Sequence, residues 1–286
     1  MPDFFQIRTI FLFGGLVSAC LFVCMQYIYR TRKTYPGFRQ WTVAFMLNFT
    51  GAILLSFRDI LPFFITVILA NILVILFFVF IVRGMVTFVE VRQNNLIDVP
   101  IVSLFVSAFI YYSYFSPDIN IRVVLVSVIS LFFCIRCLYI SCRKLPSILN
   151  GHNYLLATAF MLISFSSIFR VILMILYNEE IEDFMSASTI HGMSMTLIAI
   201  GHIFIGIALT VINAQRLELE LVNAQAEIKT LAGFIPICAN CKNIRDDQGY
   251  WQQVEEYIKK HSDAEFTHSI CPDCIKLLYP NFELPE

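Results

Sequence analysis

Seven apolar runs fill most of residues 9–212, and they constrain this chain more than any other feature of its sequence. They lie at roughly 9–29, 41–57, 63–88, 99–116, 121–141, 154–177 and 190–212, the second and fourth being the shortest. The hydrocarbon core of a bilayer is roughly 30 Å thick and takes about 20 residues of helix to cross, with tilt and local thinning absorbing the difference. Backbone polar groups find no water there, and a helix satisfies them within a single segment. The expected fold is an all-α membrane protein of seven transmembrane helices over 1–212, followed by a short coiled coil at 213–233 and a small cytoplasmic domain at 234–286.

Composition agrees with this division. Of 286 residues, 58% are hydrophobic and 14% charged, with a mean hydropathy of +0.73. Soluble domains carry roughly 25% charged residues, so much of the chain is expected to face lipid. Residues 213–286 read instead as ordinary soluble protein. The net charge of −1 gives no sign of a nucleic-acid partner.

Loop charges set the expected orientation. Arg30, Arg32, Lys33 and Arg39 lie in the first loop, Arg92 in the third, and Arg143 and Lys144 in the fifth. The second loop offers only Arg58, the fourth only Arg122, and the sixth, Asn178–Phe184, is acidic. Odd loops are therefore expected inside, the N-terminus outside and the C-terminus in the cytoplasm of a plasma (inner) membrane. The first run is longer than the roughly 7–15 residues of a signal-peptide core, so it is expected to stay as a membrane helix. A lipoprotein-like box at Val17–Cys20 is undercut by the apolar stretch continuing beyond Cys20.

Polar residues inside the runs are candidate functional groups, because ionisable side chains in lipid are costly. Asn48, Asn71, Arg83, Arg136, Arg170 and His202 are such residues. Arg83 and Arg136 lie near the inner ends and are expected to snorkel. Arg170 sits deeper, and with Arg58 and His191 near the same face it is a candidate for an outward-facing ligand pocket. His191 and His202 lie on one helix, which argues against a shared haem. Cys134 and Cys137, in a membrane helix, are expected to be packing residues.

After the seventh run, Ala214, Leu217, Leu221, Ala224, Ile228, Leu231 and Ile235 recur at alternating spacings of three and four. This is a heptad seam, and it predicts a homodimeric coiled coil or, failing that, an amphipathic helix packed on its own tail. Gly233 and Pro236 are expected to end it.

The tail carries two C-x-x-C pairs, Cys238/Cys241 and Cys271/Cys274. Two such hooks supply four soft thiolates for a tetrahedral site. A reducing compartment disfavours disulfides; zinc is the expected ion, with iron or a redox dithiol as alternatives, and Lys242 and Ile275 stand where rubredoxin knuckles carry glycine. Between the hooks, Asp246–Gly249 predicts a turn and Tyr250–Lys260 a helix, with Trp251, Val254, Tyr257 and Ile258 inward. The tail fold is expected to be zinc-ribbon-like or α+β.

The run Leu231–Cys238, with Gly249-Tyr250-Trp251, His261-Ser262-Asp263 and Ile270–Cys274, resembles a C-terminal four-cysteine module of bacterial signalling proteins. Trp41, Gly51, Arg58–Pro62 and Leu69–Asn71 are similar to the seven-helix input modules that precede some diguanylate cyclases. The resemblance implies a signalling role and a zinc-like site but no catalysis, and no kinase or cyclase motif is found. The expected function is a membrane sensor-transducer with a cytoplasmic signalling partner. The alternatives are a membrane redox protein with an iron–tetracysteine centre, or a transporter or enzyme with its site near Arg170.

Overall fold

The computed structural model describes residues 7–91, 95–151, 153–176, 189–232, 235–246 and 248–279. It divides into two compact units, Met1–Glu220 and Leu221–Glu286.

The first unit is helical. Its elements are α1 (Ile7–Thr31), α2 (Phe38–Ser56), a π-helical turn (Phe64–Leu69) running into α3 (Ala70–Phe88), α4 (Asn95–Tyr114), α5 (Ile119–Arg143), the single turn α6 (Pro146–Leu149), α7 (Tyr154–Leu176) and α8 (Thr189–Ala232). Helix α2 packs between α1 and α3, and α5 packs on α3 and α7. Apolar side chains lie on both sides of this wall. Phe45, Phe77, Phe78, Phe133 and Phe160 are buried inside, while Phe13, Val23, Leu104, Phe165 and Ile175 are more than half exposed on the outside. A bundle apolar inside and out is what lipid selects.

Among the described residues, six segments are long and apolar enough to cross a membrane: Ile7–Thr31, Phe64–Phe88, Ile97–Tyr114, Ile119–Leu149, Tyr154–Ile175 and His191–Ala226. The chain is thus a multi-pass, mostly helical membrane protein. Of the seven expected spans, the second falls short. Helix α2 has the length, but Arg39, Gln40 and Asn48 dilute its apolarity. It is instead one of the better buried helices, with Phe38, Trp41, Ala44 and Phe45 fully enclosed.

Of the glycines where α2 and α3 approach closely, two are the tightest. Gly37 precedes α2 with φ of 104°, a left-handed conformation that strains any residue with a Cβ. A Cβ on Gly37 would strike the Gly84 carbonyl, and one on Gly84 would strike the Trp41 indole, whose Nε1 donates to the Ile81 carbonyl at 3.3 Å. Small residues at such crossings let membrane helices touch. Gly84→Ala is therefore expected to destabilise the bundle by about 1–3 kcal/mol, the usual range for overpacking. Gly14→Ala is the control, because its Cβ meets only the Ala199 Cβ at an ordinary 3.8 Å. Thermal unfolding in detergent should separate the two, and equal melting temperatures would refute the tight crossing.

Arg83 and Arg136 are about one third exposed and share a partner. Both turn onto Asp98 at the start of α4, whose carboxylate is 4% exposed: Arg136 Nη1 bonds it directly and Arg83 Nε lies 3.9 Å away. A buried carboxylate needs such partners. Cys134 and Cys137 are fully buried in the core, in keeping with a packing role.

The second unit holds the end of α8 and then a small α+β arrangement. Strands β1 (Ile244–Arg245) and β2 (Trp251–Gln252) pair antiparallel, Arg245 opposite Trp251, and are followed by α9 (Val254–His261) and α10 (Pro272–Leu278). The expected turn is present: the Asp246 carboxylate accepts from the N–H groups of Gln248 and Tyr250, and Gly249 takes φ of 91°. The expected helix starts later than Tyr250. Trp251 belongs to the hairpin and is half exposed, because the turn feeds an extended strand before Gln253 caps α9. Of the described residues from 235 onward, Ile244 alone is buried.

Candidate functional site

The bundle holds a partly open cavity of about 130 Å³, reached by α1, α2, α3, α4, α5, α7 and α8. One water needs roughly 10–15 Å³ on this measure, so the space admits a sizeable ligand. Its apolar wall includes Val17, Val67, Val74, Phe78, Val126 and Ile198. The π-turn at Phe64–Leu69 supplies Val67, and Asn71, one turn on, donates to the Val67 carbonyl at 2.7 Å. Such local unwinding re-aims side chains and recurs at functional sites.

Three guanidinium groups share this cavity. Arg58 follows α2, in a turn where Arg8 donates to the Arg58 carbonyl at 3.0 Å and pairs with Asp59. Arg122 stands in the first turn of α5, whose N-cap Asp118 accepts from the Ile121 N–H at 3.0 Å, and lies over the Phe63 ring at 5.7 Å. Arg170 comes from α7 and is 4% exposed. Two of the three expected pocket residues, Arg58 and Arg170, therefore line one cavity. The third, His191, is buried close enough to Arg170 to feel its charge, but it is not part of the lining. Arg122 was not anticipated; read as a loop residue, it is placed on the cavity only by the docking of α5.

Deeper in the cavity lies a neutral polar cluster. The Asn48 amide donates to Ser18 Oγ at 2.8 Å and lies 3.4 Å from His202 Nδ1. The His202 ring meets the edges of Phe77 and Phe78. Its Nε2, Arg170 Nε, Arg122 Nη1 and Ser167 Oγ are buried with no hydrogen-bond partner among the described residues. Buried polar atoms are nearly always satisfied, and all four belong to residues that line this space.

A second polar constellation, which sequence patterning missed, holds α8 where it leaves the bundle. Arg216 donates to the Phe88 carbonyl at 2.7 Å, pairs with Glu90 at 2.6 Å, and lies 4.3 Å over the Tyr35 ring. Lys33 pairs with Glu220 at 2.7 Å, and the Tyr35 hydroxyl donates to the same carboxylate. Asn213 Oδ1 accepts from the Tyr35 N–H at 3.1 Å. Burial, reinforced by the Glu220 charge, pushes the Tyr35 phenol up to about 12, so it remains a donor throughout the physiological range.

In the tail, each cysteine hook is formed locally. Lys242 takes φ of 63°, its N–H donates to the Cys238 carbonyl at 3.1 Å, and the Asn243 carbonyl accepts from the Cys238 N–H at 2.8 Å. A non-glycine residue thus occupies the left-handed position behind the first pair. The backbone N–H of Cys241, then that of Asn240, and the Cys241 thiol hold the Cys238 thiol below the usual cysteine range. Backbone and thiol donors of Cys274 do the same for Cys271, which caps α10. Thiolates favoured in this way are the donors a soft divalent ion requires. The two hooks are not drawn together: no group of three or more His, Cys, Asp or Glu is gathered at metal-binding geometry among the described residues. The sixth loop, His152 and Gly233 lie outside those residues. Comparison with protein families, curated proteins and solved structures finds no match to this chain.

Proposed function

We propose that this chain is a membrane sensor-transducer. A bundle of seven spans, α2 included, detects a small or lipophilic ligand at the Arg170 cavity. Helix α8 passes the change through a dimeric coiled coil to a zinc-bound four-cysteine module that engages a cytoplasmic signalling protein. The observation that carries this reading is the continuity of α8. It contributes Met195, Ile198, Ala199 and His202 to the cavity and runs unbroken from Thr189 to Ala232. Any rotation or shift of its cavity end is mechanically linked to its far end, since a helix transmits displacement rigidly. Helix shifts of about 1–2 Å are a common currency of such switches.

The connector supports a dimer. The described seam residue Leu221 is 56% exposed within one chain, as a helix awaiting a partner would be, and anchoring in a membrane raises the effective concentration. A photo-crosslinking residue at Leu221, on the seam, should give dimer adducts in membranes, whereas one at Val222, equally exposed at 55% but off the seam, should give several-fold fewer. Arg216→Ala releases α8 from Phe88 and Glu90 and is expected to change the Leu221 yield at least threefold in either direction. Equal yields at 221 and 222 would sink the coiled coil. An unchanged yield in Arg216→Ala would sink the clamp as part of the transmission path.

A further inference from the structure

The cavity's chemistry is unequal along the bundle axis. Arg58, Arg122 and Arg170 stand at one level, and the neutral Asn48–Ser18–His202 cluster stands deeper. His191, beside Arg170, and His202 are eleven residues apart on α8, roughly 16 Å of helical rise. Between the two levels the wall is mostly aliphatic and aromatic, with the hydroxyls of Ser127, Ser130 and Ser167 set into it. No Asp or Glu lines the cavity among the described residues. Arg58 and Arg122 are near enough to repel one another, and the Asp118 carboxylate, which caps α5, offsets part of the Arg122 charge, whereas no carboxylate among the described residues acts on Arg170. Arg170 and Arg122 are 4% and 8% exposed, and each presents a guanidinium nitrogen with no hydrogen-bond partner among the described residues. A buried cation without a compensating anion is costly in lipid, and a guanidinium is built to take a carboxylate or phosphate.

We propose that the cavity binds an anionic amphiphile, its carboxylate or phosphate head held by Arg170 at the cationic level that Arg122 shares, and its apolar chain lying along Val17, Val74 and Ile198 toward His202. A cationic or neutral ligand would leave the buried Arg170 unneutralised, and a bare inorganic anion would leave the apolar length empty. The inference deepens the sensor reading and rests on it for the meaning of binding, while binding itself is measured without any signalling output.

The test uses the full chain in phosphatidylcholine nanodiscs with a diazirine-bearing analogue of decanoate. Photolabelling should map to Val17, Val74 and Ile198. Decanoate should compete at least tenfold more effectively than decan-1-ol or decyltrimethylammonium. Arg170→Gln should lower labelling at least tenfold while Arg170→Lys retains most of it. Arg122→Gln, at the first turn of α5, keeps the test open if Arg170→Gln fails to insert. Ala199→Leu, which fills the cavity without touching a charge, should also block labelling. Including phosphatidylglycerol in the discs distinguishes the source: displacement by it supports the anionic head and assigns the occupant to the bilayer, and persistence of labelling supports a free amphiphile. Equal competition by decanol, or labelling unchanged in both arginine-to-glutamine variants, would overturn the proposal. Labelling as expected, with no change in Leu221 crosslinking on adding decanoate, would leave the binding site standing and count against the sensor reading instead.

Discussion

Metal analysis of the purified chain is expected to give one zinc per chain, lost when any one of Cys238, Cys241, Cys271 or Cys274 becomes serine. The reason is the poverty of the tail's own core. Ile244 alone is buried among the described residues after 234, while Tyr250, Trp251, Leu277 and Leu278 are each more than half exposed. A unit this small draws only about 3–5 kcal/mol from its core, whereas zinc contributes roughly 10–16 kcal/mol to a finger-sized fold at neutral pH. Each hook already favours thiolate through its own backbone N–H groups, so the ion has only to draw two preformed hooks together. Exchange of a soft thiolate for a serine hydroxyl removes a ligand from a shell with none to spare. Hydrogen exchange at Ile244, Arg245 and Ile275 should therefore rise by several orders of magnitude on chelation and recover with zinc, with the bundle amides unaffected. Because thiolates bind the metal and thiols do not, acidification should release it. Stoichiometric iron would favour the redox alternative, and a protected tail free of any metal would refute the site.

Topology should be equally all-or-none. With the other cysteines outside the hooks replaced by serine, a membrane-impermeant maleimide applied to intact cells is expected to label Glu180→Cys and to leave Gln248→Cys untouched until the membrane is permeabilised. The expectation rests on basic residues: Arg30, Arg32, Lys33, Arg39, Arg92, Arg143 and Lys144 in loops taken as inner, against Arg58 and Arg122 in loops taken as outer. Most of these inner residues flank membrane-spanning helices closely, within the distance over which basic residues set orientation. The structure adds a reason to discount the outer pair, since Arg58 and Arg122 both line the cavity. The reverse labelling pattern would place the hooks in an oxidising space and make disulfides the natural state of the four cysteines. It would also leave α2 in question, because an even number of spans puts both termini on one side.

How far the sequence could be read depended on the kind of order involved. Apolar length is a local property, and the spans at Phe64–Phe88 and Tyr154–Ile175 lie close to where hydropathy puts them. The turn at Asp246–Gly249 was legible because an aspartate and a glycine at that spacing have few other uses. Trp251 was misjudged for the opposite reason. Its spacing to Val254 and Ile258 fits a helix, but pairing with Arg245 takes it into a strand, and that competition is decided across the chain.

The same division holds for function. By itself the sequence determined a multi-pass helical membrane protein, a heptad pattern after the last span, and two cysteine hooks, because each is written in residue type and near-neighbour spacing. Only the tertiary structure decided that Arg58, Arg122 and Arg170 meet at one cavity while His191 stays out of its lining. It also decided that Arg83 and Arg136 share Asp98 as their partner, and that Arg216, stacked on Tyr35, fastens α8 to the loop after α3. The physical reason is that a helix apolar on all sides has no marked inner face. Its rotation is fixed by packing at places such as Gly84 against Trp41, and that rotation decides which polar side chains of different helices become neighbours.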